Sequence, residues 1–428
     1  MKKEIIKPSI LPGFMELLPK EQRIFNDIVN KITRVYEENG CLGIDTPVIE
    51  KAEVLLAKSG GETEKQVYSF QKGKNNLALR FDLTVPLARY VAQYYENLNF
   101  PFKRYQIGKV YRGERNQKGR YREFYQCDVD VIGKEKLSIN NDAWVISLAN
   151  KAFKSIGLEE YEFQISNRKI LKGILDELEI EDKNDVMILI DKYDKIGAVE
   201  FQKELKVLAG NKKSEFINNI FSFEGDIIEN LMKLNIQNKE YLEGVEELKE
   251  VCRIIEMLGV KKEKYKINLK IIRGLDYYTG TVFETLLIGN ENYGSICSGG
   301  RYDNLAENYT KNILPGVGIS IGLTRLFFVL KEIGFVEKYK EARTLDYLII
   351  PIGDTIDYCI TVLNKLNLKG NIVDIYWEED SLKKKMNYAN KVDVENVILI
   401  GEEEVEENMI QIKNMSSGES KRILKEGL

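Results

Sequence analysis

Residues 111–133 read YRGERNQKGRYREFYQCDVDVIG, a pair of strand-like flanks around a loop that is rich in cations. Residues 105–111 (YQIGKVY) lead into this stretch with the alternation of a β-strand. Beyond the loop, successive side chains point to opposite faces of a strand, and the more polar face holds Phe124, Gln126, Asp128 and Asp130. The sequence therefore predicts an antiparallel hairpin whose tip lies near Gly119.

The loop of this predicted hairpin carries more positive than negative charge. Its cations are Arg112, Arg115, Lys118, Arg120 and Arg122, and its acids are Glu114 and Glu123. The planar donor forks of arginine suit phosphate and carboxylate oxygens. Acids on a central strand are costly to bury unless they bind something polar. The pattern predicts a nucleotide at the mouth beside a small cationic or hydrogen-bonding molecule; the alternative is an exposed basic hairpin with solvated charges.

The composition of the chain restricts its chemistry. Its 428 residues include no histidine, which excludes imidazole acid–base catalysis, Ser-His-Asp and Cys-His nucleophiles, and histidine metal sites. Carboxylate, lysine or tyrosine chemistry remains, as does catalysis by positioning and charge, to which phosphoryl and nucleotidyl transfer belong. No side chain of ordinary pKa then titrates near neutrality, so we expect a flat pH profile between about 6.5 and 8.5, apart from the ionisation of the substrate itself.

Charge and cysteine usage bear on partners and location. The net charge is −4, so a nucleic-acid partner would have to meet local basic patches. The five cysteines are scattered and form no CxxC pair, which predicts neither disulfides nor a zinc site and fits a reducing cytoplasm. No run of about 18 apolar residues occurs, so the sequence predicts no membrane span.

Several segments resemble one enzyme family. Residues 112–133 resemble motif 2 of the histidyl-tRNA synthetases, which are class II aminoacyl-tRNA synthetases. Residues 273–284 (RGLDYYTGTVFE) resemble the signature most specific to that family, and residues 316–330 resemble class II motif 3. A helix at 21–39 followed by an extended segment at 41–50 resembles motif 1, which implies a homodimer interface. The resemblance implies activation of histidine with ATP and Mg²⁺, and its transfer to tRNA(His).

The resemblance and the periodicity together predict an α/β (α+β) fold in four segments. Residues 1–168 and 263–332 are expected to form a class II synthetase-like antiparallel sheet core flanked by helices. Residues 169–262, which have the pattern of amphipathic helix throughout, predict an inserted helical domain. Residues 345–428 alternate strands and helices as a small α/β domain, which resembles the anticodon-binding domain of class II synthetases.

The resemblance also implies which residues bind ATP and carry catalysis. Arg112 and Arg273 are the expected catalytic residues, both contacting the α-phosphate and the substrate carboxylate. The expected ATP-binding residues are Arg112, Glu114, Arg120, Phe124 and Arg325. Arg325 falls in the first turn of a predicted helix, where a cation is unfavourable unless an anion lies nearby. No metal-ligating set of side chains is predicted.

The predicted amino-acid pocket draws on several parts of the chain. By the same resemblance, the histidine-binding residues are Asp82, Thr84, Gln126, Asp130, Arg273, Tyr277, Tyr278 and Tyr302. Residues 77–86 read as a strand with Asp82 and Thr84 on one face, although a threonine helix cap beside a solvated aspartate is equally open. Residues 298–303 (SGGRYD) supply Tyr302 on a glycine-permitted close approach, or form a simple turn.

The resemblance extends to contacts with the acceptor stem of tRNA. These contacts are implied for Arg115, Gln117 and Arg122 in the loop of the hairpin. Asn116 stands in the same loop where the family usually has proline, a departure that loosens the predicted tip.

Two other functions remain open at this point. One is the histidine-sensing regulatory subunit of ATP phosphoribosyltransferase, a paralogue that is not a synthetase and normally lacks the C-terminal domain. The other is a class II synthetase for a different amino acid, such as threonine or proline. The presence of residues 345–428 weighs against the first, and the signature at 273–284 weighs against the second.

Overall fold

The computed structural model describes residues 6–57, 62–114, 118–272, 278–339 and 345–428, and the chain divides into two compact units, Met1–Glu337 and Lys338–Leu428. The strands of the first unit are β1 (Leu42–Gly43), β2 (Ile49–Lys51), β3 (Ser69–Lys72), β4 (Asn75–Leu79), β5 (Phe102–Tyr111), β6 (Glu123–Ile132), β7 (Tyr161–Asn167), β8 (Tyr265–Ile267), β9 (Thr281–Leu287), β10 (Cys297–Tyr302) and β11 (Gly316–Gly322). The helices up to residue 338 are α1 (Pro19–Glu38), α2 (Ala52–Leu55), α3 (Glu62–Gln66), α4 (Thr84–Gln93), α5 (Asn140–Ser155), α6 (Arg168–Glu177), α7 (Lys183–Asp191), α8 (Tyr193–Phe221), α9 (Ile227–Met232), α10 (Lys239–Met257), α11 (Leu323–Glu332) and α12 (Phe335–Lys338).

One large sheet organises the first unit. Within the described residues its strand order is β1-β5-β6-β11-β10-β9-β7-β8. The outermost pairs, β1 with β5 and β7 with β8, are parallel, and the pairs between them are antiparallel. A second, small sheet has the order β2-β4-β3. The predicted α+β class with an antiparallel sheet core and flanking helices is confirmed.

The hairpin predicted from residues 105–133 forms two adjacent inner strands of the large sheet, β5 and β6. Strand β5 pairs with β6 along its whole length, from Phe102 opposite Ile132 to Tyr111 opposite Glu123. Helix α1 packs behind the hairpin, where the ring of Phe25 lies 5.4 Å from the ring of Tyr125. The apolar face of β6 therefore contacts a helix, and its polar face is left for a ligand.

Several predicted strand boundaries are wrong. The strand predicted at residues 77–86 ends at Leu79, and helix α4 begins at Thr84 because the Asp82 carboxylate accepts hydrogen bonds from the first amides of the helix. The extended segment at 41–50 divides between the two sheets as β1 and β2. Strand β8, at one end of the large sheet, stops at Ile267.

Helices α6 to α10 fill most of the segment predicted to be helical. Helix α8 is interrupted at Gly197 and Gly210, whose φ angles of 79° and 77° are left-handed conformations that favour glycine. A core that includes Phe201, Leu205 and Ile217 is fully buried among these helices. The segment is helical as predicted, and its boundaries as a separate domain at 169 and 262 stay a prediction.

The second unit is a small α/β domain. Its strands are β12 (Tyr347–Pro351), β13 (Val373–Ile375), β14 (Asn396–Ile400), β15 (Met409–Asn414) and β16 (Ser420–Leu424), and its helices are α13 (Ile356–Leu368), α14 (Leu382–Lys391) and α15 (Glu402–Glu406). The strand order is β13-β12-β14-β15-β16, with parallel pairing among the first three. The predicted alternation of strands and helices and the final hairpin are both present.

Two further features concern the state of the cysteines and the apolar character of the helices. All five cysteines are buried as thiols. In the described residues, no helix is both long and apolar enough to span a bilayer.

Candidate active site

A cavity of about 550 Å³ lies over the polar face of β6 and β11. Every predicted ATP- or histidine-binding residue that the structure describes lines this cavity: Asp82, Thr84, Arg112, Glu114, Arg120, Phe124, Gln126, Asp130, Tyr278, Tyr302 and Arg325. The predicted Arg273 and Tyr277, and the loop residues Arg115 and Gln117, lie outside the described residues. The sheet thus gathers side chains that are up to 243 residues apart in sequence, since Asp82 and Arg325 both line one space.

The mouth of the cavity is cationic. The Nε of Arg112 donates to the Phe81 carbonyl at 3.2 Å, and its guanidinium lies 4.4 Å from the centre of the Phe81 ring and 5.1 Å from that of Phe124. These contacts hold the planar group in one orientation beside the ring face of Phe124. Arg120 pairs with Glu114 at 3.4 Å. The mouth therefore offers a flat aromatic surface and oriented guanidinium groups, which suit a purine and its phosphates.

Arg325 links the hairpin to helix α11. As predicted, it lies in the first turn of that helix. Its Nε donates to the Gly119 carbonyl at 3.3 Å, and its Nη1 donates to the Ser295 carbonyl at 3.0 Å. The tip of the hairpin is tied in this way to the first turn of the helix, where the dipole favours anions.

Arg122 is placed differently from the other arginines of the loop. Its Nε donates to the Glu114 carbonyl at 3.1 Å, and its Nη1 reaches the Pro12 carbonyl at 3.5 Å. It does not line the cavity. Its predicted contact with the acceptor stem stays a prediction.

The deep end of the cavity is built around Asp130. The Tyr302 hydroxyl donates to its Oδ1 at 2.6 Å, and the Nη2 of Arg104 lies 2.6 Å from its Oδ2. The same Nη2 donates to the Leu83 carbonyl at 3.2 Å. Burial raises the pKa of Asp130, and the Arg104 charge and the Tyr302 hydrogen bond oppose that rise. Arg104 was not among the predicted residues, because nothing in the sequence shows that it lies opposite Asp130 on β5.

Asp82 matches neither alternative that the sequence left open, because the strand ends at Leu79 and the residue that caps the helix is the aspartate and not a threonine. Its Oδ1 accepts hydrogen bonds from the amides of Thr84 at 3.1 Å and Val85 at 2.9 Å, so the aspartate is the helix cap. It is only 7% exposed and lines the cavity. Burial raises its pKa, and the Val85 amide and the Arg112 charge oppose the rise. The cap is therefore a buried acid that faces the ligand space, and the predicted solvated aspartate is wrong.

Asp128 is an acid of the cavity that was not predicted as a site residue. It is 2% exposed, and burial raises its pKa to about 7, although the Arg104 charge opposes the rise. The flat pH profile was expected for side chains of ordinary pKa, and the pKa of Asp128 departs from the ordinary value. The signal was present in the sequence, since Asp128 lies on the same face of β6 as Gln126 and Asp130.

Two glycines leave room for the side chains of Asp130 and Tyr278 at the deep end of the cavity. Gly318 on β11 lies directly opposite Asp130, and a Cβ at that glycine would overlap the aspartate carboxyl. A Cβ at Gly300 would lie 2.8 Å from the Tyr278 ring. The sequence around Gly300 forms strand β10, so the turn alternative is wrong and the close-approach prediction is confirmed.

A buried ion pair supports the segment between Tyr278 and strand β9. Arg301 makes two hydrogen bonds to Asp142, at 3.1 and 2.6 Å, and both residues are almost fully buried. The Arg301 carbonyl accepts the amide of Thr279 at 2.8 Å. The segment next to Tyr278 is therefore held against a rigid support.

Other lining residues were missed by sequence reasoning. Lys195 comes from the helical segment, and Ser298 and Ser320 come from β10 and β11. A lysine in a charged helix and serines in glycine-rich strands carry no motif of their own. Only the tertiary arrangement brings them to the cavity.

Comparisons with known proteins agree with this geometry. The pattern of the histidyl-tRNA synthetase family matches residues 13–326, and that of an anticodon-binding domain matches residues 346–428. A histidine–tRNA ligase of Clostridium acetobutylicum is 62% identical over 421 residues, which cover 98% of each chain. A histidine–tRNA ligase of Finegoldia magna is 51% identical over 97% of this chain and 96% of that one.

Solved structures show the same similarity. Histidyl-tRNA synthetase from Nostoc sp. PCC 7120 superposes with a TM-score of 0.90 at 34% identity, over 98% of this chain and 97% of that one. An ATP phosphoribosyltransferase regulatory subunit/histidyl-tRNA synthetase from Bacillus halodurans C superposes with a TM-score of 0.78 over 93% of this chain and all of that one. Its identity is 23%, so it shows a shared fold alone.

Proposed function

We propose specific roles for the residues of the cavity, because the chain belongs to the histidyl-tRNA synthetase family and is an ATP-dependent histidine–tRNA ligase. The observation that carries the proposal is one cavity with guanidinium groups at the mouth and buried acids at the deep end. In the first step a histidine carboxylate oxygen attacks the α-phosphorus of ATP in line, and pyrophosphate leaves. In the second step the histidyl group passes to a ribose hydroxyl at the end of the tRNA, and AMP leaves.

Arg112 and Arg273 are the proposed catalytic residues. Both would hold the α-phosphate and the attacking carboxylate, whose negative charges repel each other until they are neutralised. Arg112 suits this role because its contacts with Phe81 fix the plane of its guanidinium. Arg273, whose position is not described, is proposed from the family signature alone.

The rest of the ATP would lie along the mouth. Phe124 would stack on the adenine, with Glu114 near its amino group. Arg120 and Arg325 would hold the γ-phosphate. Arg325 approaches from the first turn of α11, where the helix dipole adds to the attraction for an anion.

The histidine substrate would lie deeper, with its ammonium group toward Asp82, Thr84 and Gln126. The Oε1 of Gln126 is buried and has no hydrogen-bond partner among the described residues, so it can accept an ammonium proton. The imidazole would lie between Asp130 and the three tyrosines that the family signature and the cavity supply, Tyr277, Tyr278 and Tyr302. Tyr302 would act through its hydrogen bond to Asp130.

Magnesium would enter with ATP. Mg²⁺ usually keeps several waters and binds substrate phosphates with one or two carboxylates, and Glu114 is a carboxylate at the mouth. The described residues contain no cluster of three or more side chains that could hold a metal ion. The bound ion would neutralise charge on the leaving pyrophosphate, and Arg120 and Arg325 would orient the same phosphates.

The remaining parts of the chain would serve tRNA(His) and assembly. We propose that the second unit binds the anticodon, and that Arg115, Gln117 and Arg122 contact the acceptor stem. A homodimer would form through the motif 1 region, where Leu42, Val48 and Ile49 are exposed apolar residues. A cytoplasmic location would suit this work.

The activity itself gives the first test. Purified protein should catalyse ATP–pyrophosphate exchange that requires both histidine and Mg²⁺. Histidine should be preferred over threonine and proline by about 10⁴-fold, because a site that hydrogen-bonds its substrate rejects molecules that leave its polar groups unpaired. Exchange that proceeds without an amino acid, or better with threonine, would contradict the proposed roles.

Removal of the second unit gives another test. A chain that ends before Leu345 should keep histidine-dependent exchange, because every described residue of the cavity belongs to the first unit. Charging of tRNA(His) should fall by about 10–100-fold, the loss of one or two base contacts of about 1–3 kcal/mol each. Charging assays on full-length and truncated protein, with exchange as the control, would measure this. Equal loss of both activities in a folded truncation would argue against an anticodon role.

A further inference from the structure

The deep end of the cavity holds more acid than the proposed contacts use. Asp82, Asp128 and Asp130 are all buried and all line it. Asp82 is assigned to the ammonium group of the substrate, and Asp130 to its imidazole. Asp128 has no assigned partner, yet burying a carboxyl group beside two others is costly unless a ligand compensates.

The oxygens of Asp130 and Asp128 are used differently. Asp130 already meets the Tyr302 hydroxyl with Oδ1 and Arg104 with Oδ2. The Oδ1 of Asp128 is buried and has no hydrogen-bond partner among the described residues, although the Ser320 hydroxyl lies close enough to the carboxyl to lower its pKa. A buried acceptor without a full protein partner is available to a donor that the ligand brings.

The position of Asp128 suits the ring of the substrate. Asp128 and Asp130 are alternate residues on one face of β6, so their side chains start about 7 Å apart. That separation leaves room for a flat ring between two hydrogen bonds. On the other side of Asp128 lies Gln126, which is assigned to the ammonium group. A histidine that spans from Gln126 to Asp130 must pass Asp128.

Building on the proposed function, we propose that Asp128 is a specificity-determining residue: its free oxygen accepts one ring N–H of histidine while Asp130 accepts the other. The bound ring then carries both of its N–H protons as an imidazolium. Two acids facing one small ring would otherwise leave a lone pair of the ring opposite a carboxylate oxygen, which is repulsive.

The surroundings of Asp128 show where the extra proton comes from. The titratable and polar groups on its face of the sheet are Arg104 and Gln106 on β5, Asp130 on β6, Ser320 on β11 and Asp82 before α4. Tyr36 on α1 and the thiol of Cys127 interact with its charge from the other face. Burial raises the pKa of Asp128 to about 7, Arg104 opposes the rise, and Asp130 and Asp82 add to it. Below that pH the empty cavity therefore already stores one proton on Asp128.

Binding moves this proton over a short distance. Neutral histidine enters, the O–H bond of Asp128 breaks, and an N–H bond forms on the ring, which leaves a carboxylate beside an imidazolium. No proton is exchanged with solvent in this case. Above about pH 7 Asp128 is ionised in the empty cavity, so the proton must come from water and binding weakens.

A pH profile tests the proposal. For the natural chain, kcat/KM for histidine should be highest near pH 6.5–7, and it should fall about tenfold per pH unit above that range. In Asp128→Asn the profile should be flat from about pH 7 to 8.5, because neutral free histidine becomes the only form required. Ser320→Ala, a change opposite Asp128 without loss of charge, should keep the slope of the natural chain, but the fall should begin at a higher pH because the Ser320 hydrogen bond lowers the pKa of Asp128.

A measurement on the natural chain needs no variant. The chain contains no histidine, so every imidazole signal in a nitrogen NMR spectrum of the complex with ring-labelled histidine comes from the ligand. At pH 8, where free histidine has a neutral ring, the bound ring should show two protonated nitrogens. A neutral bound ring, or an unchanged pH slope in Asp128→Asn, would overturn the proposal. Histidine that neither binds nor supports exchange would instead overturn the proposed function.

Discussion

Replacing Arg112 with alanine should slow adenylate formation by about 10²–10³-fold, the usual loss when one preorganised charge-stabilising group is removed from an active site. The reason lies in how the side chain is held. Its Nε donates to the Phe81 carbonyl at 3.2 Å and its guanidinium rests on the Phe81 ring, so the group is oriented before any substrate arrives. Alanine would leave the α-phosphate and the attacking carboxylate facing each other with less positive charge between them.

The effect should fall on the rate more than on ATP binding. Interactions made mainly in the transition state lower kcat and kcat/KM together. Single-turnover formation of the adenylate, measured beside the Kd for ATP, separates the two. Arg253→Ala is a matched control, because Arg253 is exposed on α10 and paired with Glu250. A single-turnover rate like that of the control would remove Arg112 from the catalytic step.

Replacing Arg104 with leucine should lower the free energy of unfolding by about 3–5 kcal/mol, because it leaves the Asp130 carboxylate buried without its cation. Arg104 is fully buried, and its Nη2 serves both Asp130 and the Leu83 carbonyl. The pKa of Asp130, which burial already raises, should rise further in the variant. The folded state then binds the proton more tightly than the unfolded state, so the loss should be largest at high pH and shrink as the pH falls through the raised pKa.

A second substitution checks the cause. Arg104→Leu combined with Asp130→Asn removes both charges and should recover most of the lost stability, since replacing a whole buried pair is often close to neutral. Urea unfolding of the natural chain, both single variants and the double variant would measure the coupling. Arg253→Leu controls for the loss of an exposed arginine. A single Arg104→Leu variant as stable as the natural chain at pH 8 would contradict the role of the pair.

Local patterns in the sequence were sufficient for the central hairpin. The alternation around residues 105–111 and 124–131 has the period of a strand, and the sequence pattern of the basic loop between them predicts no other element that would compete with a hairpin. The polar face of β6 was therefore identified correctly, and with it the place of the cavity. The position of Arg325 in a first helical turn followed in the same way from a change of period from two to about 3.6.

Elsewhere two local signals competed. Residues 77–86 alternate like a strand and also hold side chains that can cap a helix. The helix formed because α4 buries Leu87 and Val91, and Asp82 accepts its first amides in place of the predicted threonine. The predicted residues Asp82 and Thr84 both line the cavity, but the element that carries them was predicted wrongly. The role proposed for Asp82 rests on the family resemblance, since neither signal alone could give it.

The site residues that were not predicted from the sequence depend on contacts between residues that are distant in sequence. Arg104 and Asp130 meet only through the register of β5 and β6, and Asp128 becomes a group of near-neutral pKa only when the sheet buries it. Composition suggested that nothing in a chain without histidine titrates near neutrality. Burial can shift a carboxyl by several units, and the sequence does not report burial.

The buried cysteines make the protein convenient for site-selective labelling. Burial raises the pKa of Cys41 and Cys252 to about 12 and that of Cys359 to about 11. Maleimide dyes react with thiolates, so these thiols should remain unlabelled under mild conditions. A cysteine introduced at Val199, which is 84% exposed on α8, or at Leu368, which is 89% exposed on α13, would then carry the dye. Each position would label one unit of the chain separately, with every native cysteine left in place.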